Sequence, residues 1–392
     1  MKRKHSKVSM VLLVLFFIGS MLVFPVGAVD QQINLTVPYY EQETPYYCGA
    51  AVAQMWIDYH GDYVSQDTLY DYIRANNIEG STWYTDPRGL AECVAHYVDG
   101  TGASDNGWQP QHQDAAILGQ VYDIAEYGIP SASLVYNSAH WMIVKGAKYF
   151  EYGGRPYSVY GIWAFDPANR SSSVNSKYVS ADDWKNEYFT PITKPALSES
   201  HWYNKCVTVN GWQIRSADYA EKTKDMHLMA DEEDNIQMTE KTDLSQFALD
   251  EMKKLDLFKE ELEGSTPGKM LYVHSLQDEY SDYYLIPFEK DDRTVVVVEV
   301  FIRDDIADFG SCMEVSSEYH PVPTQDEAMK ALDCEGYESD GNAVLVWKPC
   351  LQTISREYPL WQFETTDDGI KYVGFDQRGK VTVYDELTDK RA

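Results

Sequence analysis

The sequence predicts an α+β protein: a helical half followed by a largely antiparallel sheet, then a smaller α+β C-terminal domain of two helix-plus-strands units. Three observations carry this. Within the first 215 residues helical patterning is confined to 48–127 and short β-type runs separated by turn signals begin at Ser131, while a helix followed by strands recurs twice beyond residue 243. Helices and strands segregated along a chain favour α+β over alternating α/β units. The 392 residues exceed what one compact core usually organises, about 100–200, so two domains are expected.

Residues 1–28 read as a signal peptide. Lys2, Arg3, Lys4 and Lys7 precede an apolar stretch over 10–24, and Val26 and Ala28 suit the minus-three and minus-one positions of a signal-peptidase site. The mature chain is expected to begin near Val29 and to be secreted or held at the cell surface. An uncleaved anchor is the competing reading, which the apolar length barely permits, since a span usually requires about 18 residues. No later segment is apolar enough to cross a bilayer, so no membrane span is expected after signal removal.

From 33 to about 214 the chain is rich in aromatic residues, glycine and proline and reads as one domain. Val37-Pro38-Tyr39-Tyr40 and a turn at Thr44-Pro45 lead into a helix over 48–59. Ala50, Ala51, Ala53, Met55, Trp56 and Ile57 make it apolar nearly all round, as in a buried helix, and Gly61 ends it. A second helix covers about 66–76. A third opens at Thr85-Asp86-Pro87, where an acceptor side chain and a proline suit the first turn. The fourth spans about 115–127. Beyond Gly128, β-type runs cover 131–136, 141–149 and 158–165, separated by Asn-Ser, Gly-Gly and Asp-Pro turn signals.

Residues 216–243 are charged and poor in bulky aliphatics, which marks an acidic linker between a first domain over 29–215 and a C-terminal domain over 244–392. In the latter, a helix over 247–262 precedes strands over 269–275, 283–288 and 294–301. A second helix over 326–332 precedes strands over 343–348, 360–364, 370–375 and 380–384. The two units are loosely similar.

The formal charge is −29, and −33 without the basic leader. Such acidity repels polyanions, so nucleic acid is not an expected partner; it favours cationic peptides or calcium, although a solvated acidic face is the plainer account. No zinc spacing, nucleotide loop or heptad occurs, and 231–235 lacks the spaced ligands and glycine of a calcium loop, so no metal and no cofactor are expected. Of the six cysteines, Cys93 lies in a helical segment and Cys206 in a strand-like one. Cys312, Cys334 and Cys350 leave a single disulfide open, with no connectivity readable.

A nucleophilic cysteine needs a histidine that takes and returns its proton, a group that holds the histidine, and donors for an oxyanion. Candidates stand in the order Gln42, Cys48, His140, Asp166. Cys48 falls on the first turn of a buried helix, whose N-terminal amides favour a thiolate, and Gly49 is expected to leave the sulfur accessible. Position alone equally allows an inert buried cysteine. His140 precedes the apolar run Trp141-Met142-Ile143-Val144, so a strand end presents its ring at a sheet edge where Trp141 can shield it; a histidine capping a hairpin is the plainer account. Asp166 ends a strand and precedes Pro167, a pairing that also simply makes turns, and Asn169 is the reserve for the orienting role. Trp83, Tyr84 and Trp141 are candidates to line a peptide groove, against the commoner use of aromatics in cores.

The run Val37-Pro38-Tyr39-Tyr40-Glu41-Gln42, five intervening residues and then Cys48-Gly49-Ala50-Ala51 resembles the active-site opening of papain-like cysteine peptidases of the bacteriocin-processing, double-glycine-leader type and their secreted stand-alone relatives. Thr85-Asp86-Pro87-Arg88-Gly89-Leu90, Gly128-Ile129-Pro130, Ala139-His140-Trp141-Met142-Ile143-Val144-Lys145-Gly146 and Phe165-Asp166-Pro167-Ala168-Asn169 follow in that family's order. The resemblance covers about 33–214. It implies a papain-like thiol protease fold, a Cys48, His140, Asp166 triad, a Gln42 oxyanion donor beside the Cys48 amide, and a peptide or protein substrate. No transporter membrane domain follows, so the leader-peptide substrate is not carried over. Tyr358-Pro359-Leu360-Trp361-Gln362-Phe363 and the run from Tyr372 to Val381 resemble PepSY-like modules, which implies intramolecular regulation or surface anchoring by the C-terminal domain. A wall-directed amidase or acyl transferase would use the same residues. A non-catalytic peptide-binding or surface protein is disfavoured by the intact set.

Overall fold

Every residue from Cys48 to Ile57 is buried, which puts helix α1 (Cys48–Tyr59) in the interior as its all-round apolar surface requires. The computed structural model describes residues 29–78, 83–99, 103–108, 113–152, 154–168, 176–192, 204–208, 236–237, 243–315, 322–366, 369–376 and 378–389. The expected signal peptide, Asn169 and nearly all of the acidic linker lie outside these. Helix α2 (Gln66–Asn76) starts at Ser65, whose side chain accepts from Thr68 N, and α3 (Pro87–Tyr97) at Asp86, which accepts from Gly89 N at 2.6 Å ahead of a first-turn proline. Helix α4 spans Gln113–Tyr127.

Strand β1 (Val29–Asn34) flanks the far half of the long β4 (His140–Tyr152); β2 (Ser104–Trp108) and β3 (Ser131–Val135) lie beyond its near half, with β7 (Asn204–Thr208) between them. On the other side of β4 come β5 (Arg155–Phe165) and β6 (Lys177–Ser180), all antiparallel. Both faces are covered. Trp141 and Ile143 join the core around α1 to α3, while Met142 and Val144 join the core under α4, which is why the strand reads as an unbroken apolar run rather than an alternation.

The sheet continues into the second half of the chain. A helical turn, α5 (Ala181–Asp183), runs into a π-type turn over Trp184–Tyr188. Beyond the short β8 (Ile236–Gln237) come α6 (Leu244–Lys254), α7 (Lys259–Leu262), β9 (Thr266–Pro267), β10 (Leu271–Ser275), β11 (Tyr283–Lys290), β12 (Arg293–Arg303) and β13 (Ile306–Glu314). Then follow α8 (Gln325–Cys334), β14 (Ser339–Trp347), β15 (Leu360–Thr365), β16 (Gly369–Phe375) and β17 (Val381–Tyr384). Strands β10 to β13 form an antiparallel meander, and β14 pairs parallel to β10 and leads on to β15, β16 and β17.

Four points differ from, or add to, what the sequence predicts. The helix expected over 247–262 is two helices, because Asp256 and Phe258 take left-handed φ of 55° and 48°, a conformation that ends a helix and returns Leu257 to the core. Strand β13 escaped notice because it holds few aliphatics; its hairpin turn is Asp304-Asp305 with φ of 52° and 62°, and Asp291-Asp292 makes a like turn between β11 and β12. Cys312 and Cys350 are buried thiols and Cys334 is exposed, with no disulfide among the three.

The fourth change is the largest. Residues 244–392 do not stand apart: β6 pairs with β13 through Ser311 to Val179, Cys312 to Tyr178 and Met313 to Lys177. One core joins Ile117, Val144 and Val179 to Tyr283, Phe301 and Trp347; another joins Trp163 and Tyr178 to Phe247, Val298 and Cys312. Each large apolar side chain buried in this way contributes about 1.5–3 kcal/mol, so the seam is a structural core and not a loose contact.

Candidate active site

Cys48 is the first residue of α1, on the turn whose N–H groups lack intrahelical acceptors, and Tyr47 ahead of it makes no side-chain cap. Contrary to expectation, Gly49 does not open the thiol to solvent. Cys48 is fully buried, and the space a Cβ would take at Gly49 is filled by the Thr85 side chain, which needs the glycine to approach so closely.

His140 is the first residue of β4, delivered by a turn in which Tyr136, Asn137 and Ser138 take φ of 54°, 52° and 74°. Left-handed backbone at non-glycine residues costs about 1–3 kcal/mol each and persists only where surroundings impose it. Here Tyr136 N donates to Tyr188 O at 2.8 Å, Asn137 N to Thr190 Oγ1 at 2.9 Å, and the Tyr136 ring packs on Trp347 at 5.3 Å. That ring lies parallel to the His140 imidazole, centroids 6.5 Å apart.

His140 Nε2 is 2.7 Å from Asp166 Oδ1, both side chains fully buried. Asp166 also accepts from Ala168 N at 2.8 Å, and Lys177 Nζ stands 4.0 Å from Oδ2. Burial alone would raise the Asp166 carboxyl, but the charge and hydrogen bond of His140, the Lys177 ammonium and the Ala168 amide outweigh it and hold it far below the usual carboxylate range. With Asp166 ionised, Nε2 carries the proton. Nδ1 makes no aligned hydrogen bond of its own and is the nitrogen left for the Cys48 thiol, the ring's other hydrogen-bonding neighbour. Such contacts are often poorly aligned before substrate binds. Burial disfavours the imidazolium, but Asp166 and the Cys48 sulfur override it, and His140 sits above its ordinary value.

Gln42 is tied to the same corner, its N donating to Pro167 O at 2.8 Å, while Tyr39 Oη donates to Asp166 O at 3.2 Å. The Gln42 side chain is buried and its Oε1 meets no donor. Sequence reasoning passed over the group that frames it. Gln66 Nε2 donates to Glu41 O at 2.8 Å and to Gln54 Oε1 at 3.0 Å, and Gln66 Oε1 accepts from Glu43 N at 3.0 Å.

Of the expected groove aromatics, Trp141 is wholly buried and donates from Nε1 to Thr85 O at 3.0 Å, and Trp83 is 2 % exposed; both are core. Tyr84 is half-buried and stacks on Tyr46 at 5.1 Å. Tyr47 and Tyr70 pair at 4.5 Å beside them, and the Cys48 sulfur is among the groups that act on Tyr70. The aromatic rim is thus Tyr46, Tyr47, Tyr70 and Tyr84; the first two directly precede Cys48, a signal available in the sequence. Burial pushes the Cys93 thiol up to about 12, as for an inert core cysteine. Among the described residues no group of three or more His, Cys, Asp or Glu is placed to hold a metal ion, and no helix is long and apolar enough to cross a membrane.

These elements define an α+β protein with a helix-borne cysteine, a histidine and an aspartate in contact sequence. Residues 34–194 match the Peptidase_C39 like family, which supports a cysteine peptidase, a hydrolase, at the level of the family. No curated protein matches the chain.

Proposed function

We propose that the protein is a secreted, stand-alone cysteine peptidase in which Cys48 is the nucleophile, His140 the general base and acid, and Asp166 the group that orients His140. The observation that carries this is the buried 2.7 Å contact of His140 Nε2 with Asp166, which leaves the other ring nitrogen to the thiol on the α1 N-terminus. His140 takes the Cys48 proton, and the thiolate attacks the scissile carbonyl carbon. The oxyanion is met by the Cys48 N–H and the Gln42 side-chain amide. The imidazolium then protonates the departing amine, leaving a thioester, and a water activated by His140 releases the acid and restores the thiol.

The Gln42 to Cys48 spacing supports the bacteriocin-processing subtype, and the basic, apolar and small-residue succession of residues 1–28 supports export. A helix followed by antiparallel strands, twice over, supports a PepSY-like reading of residues 244–392. The test is a mass-spectrometric screen of peptide libraries and wall fragments with the chain from Val29 onward and its Cys48→Ala and His140→Ala variants. Cleavage of internal peptide bonds that both variants lose is expected; equal cleavage by Cys48→Ala would sink the assignment.

A further inference from the structure

Strand β6 carries Lys177 into the middle of the molecule, fully buried. Its ammonium is 2.5 Å from Glu357 Oε1, 4.0 Å from Asp166 Oδ2 and 3.4 Å from Tyr188 Oη. The strand partner of Lys177 is Met313 of β13, so the second half of the chain sets its position as well as its charge partner. Glu357 is itself buried and accepts from Ser355 Oγ at 2.5 Å. Its neighbour Arg356 is anchored by Glu187 at 3.2 Å and lies over the rings of Tyr283 and Trp347 at 4.4 and 4.6 Å.

A buried ion pair seldom adds net stability over apolar groups of the same size, so this one invites a second role. A buried ammonium beside Asp166 competes with His140 for the same carboxylate. Without a closer anion, its field would also disfavour the imidazolium. Attraction falls with distance, so the carboxylate at 2.5 Å neutralises most of the ammonium's charge and the one at 4.0 Å stays available to His140.

We propose that Glu357 is a positioning residue for the peptidase site: by holding Lys177 in an ion pair, it frees Asp166 to orient and charge-stabilise His140, which makes the C-terminal region an integral part of that site. The inference rests on the Cys48, His140, Asp166 reading above. His140 faces Asp166, Cys48 and the parallel ring of Tyr136; Asp166 faces His140, Lys177 and Tyr136; Lys177 faces Asp166, Glu357, Glu299 of β12 and Tyr188. Loss of the Glu357 charge leaves Lys177 under-neutralised, so the imidazolium loses stability and His140 titrates at lower pH. In turnover, the limb of the kcat/KM profile that His140 sets moves to lower pH while KM stays nearly constant.

The experiment reads the His140 imidazole directly, by 1H–15N NMR titration of the full chain, with the signal identified through His140→Gln. It needs no substrate. Glu357→Gln is expected to lower the His140 midpoint by about 0.5–1 unit, Glu357→Asp to lower it less in the same direction, and the exposed-site control Asp385→Asn to leave it unchanged. Lys177→Met combined with Glu357→Gln removes both charges together and is expected to return the midpoint to the parent value or above it. A folded Glu357→Gln or Glu357→Asp that titrates like the parent overturns the proposal, as does a double variant that keeps the drop. Should Glu357→Gln not fold, the aspartate and double variants decide. Cys48→Ala separates the two claims: if it leaves His140 unmoved, the underlying site reading fails, whereas a shift with Cys48→Ala and none with the Glu357 variants removes only the positioning role.

Discussion

Gln66 holds the two residues that flank Gln42, accepting from the N–H of Glu43 and donating to the carbonyl of Glu41. A buried amide in α2 therefore fixes the backbone of the residue proposed to meet the oxyanion. Gln42→Ala is expected to lower kcat about 10²–10³-fold as an oxyanion donor. Gln66→Leu is expected to lower kcat by a smaller factor, about 10-fold, because the loop loses its frame while the amide survives. Steady-state kinetics on one peptide substrate decides; a kcat unchanged by Gln66→Leu would show that the loop holds its shape unaided.

Thiol chemistry follows from burial. Cys334 is exposed, whereas Cys48, Cys93 and Cys312 are fully buried. Iodoacetamide at neutral pH is expected to label Cys334 first with no loss of activity. Inactivation is expected to track Cys48 alone, with Cys93 and Cys312 slowest because burial raises both thiols. Peptide mapping against residual activity checks this, and inactivation that follows Cys334 would contradict it.

Local chemistry was legible in the sequence and long-range pairing was not. The bounds of α1 and α2 and the Asp86-Pro87 start of α3 follow from apolar pattern and capping, which act within a few residues. Cys48, His140 and Asp166 were singled out one by one, and the fold brings them together. Nothing local announces that Lys177 meets Glu357, that Thr85 closes over Gly49, or that a four-residue strand bearing a lysine joins the two halves of the chain. Trp141 misled for a related reason: an aromatic beside a candidate histidine suits a groove or a core equally, and only the helix packed above it decides.

Glu299 gives the fold a pH dependence. Burial first, and then the Glu357 carboxylate, push its carboxyl up to about 7 against an ordinary value of 4.5. A raised folded-state pKa means that the protonated form is favoured in the fold. Its stabilising contribution is complete below about 4.5 and is lost as pH rises through about 7. Glu299→Gln cannot ionise, so its melting temperature relative to the parent is expected to climb between pH 5 and 8. Thermal denaturation at several pH values measures this; a constant difference across that range would show that Glu299 does not titrate there.

A chain ending at residue 215 tests the seam between the halves. Such a fragment retains Cys48, His140 and Asp166 but loses β13, the neighbour that pairs with β6 at Val179, Tyr178 and Lys177. It uncovers Trp163 and Tyr178, which pack against Phe247, Val298 and Cys312, and it removes the Trp347 ring that braces the left-handed turn before His140. Lys177 is left against Asp166 with Glu357 gone, so nothing draws the ammonium away from the carboxylate that orients His140. The fragment over 29–215 is therefore expected to aggregate or to lose fixed tertiary structure, and to lose Cys48-dependent activity with it. Near-ultraviolet circular dichroism and peptide cleavage, each compared with the chain from Val29 onward, are the measurements; a folded fragment with undiminished turnover would show that the second half is dispensable to the site, and that β6 finds its place without β13.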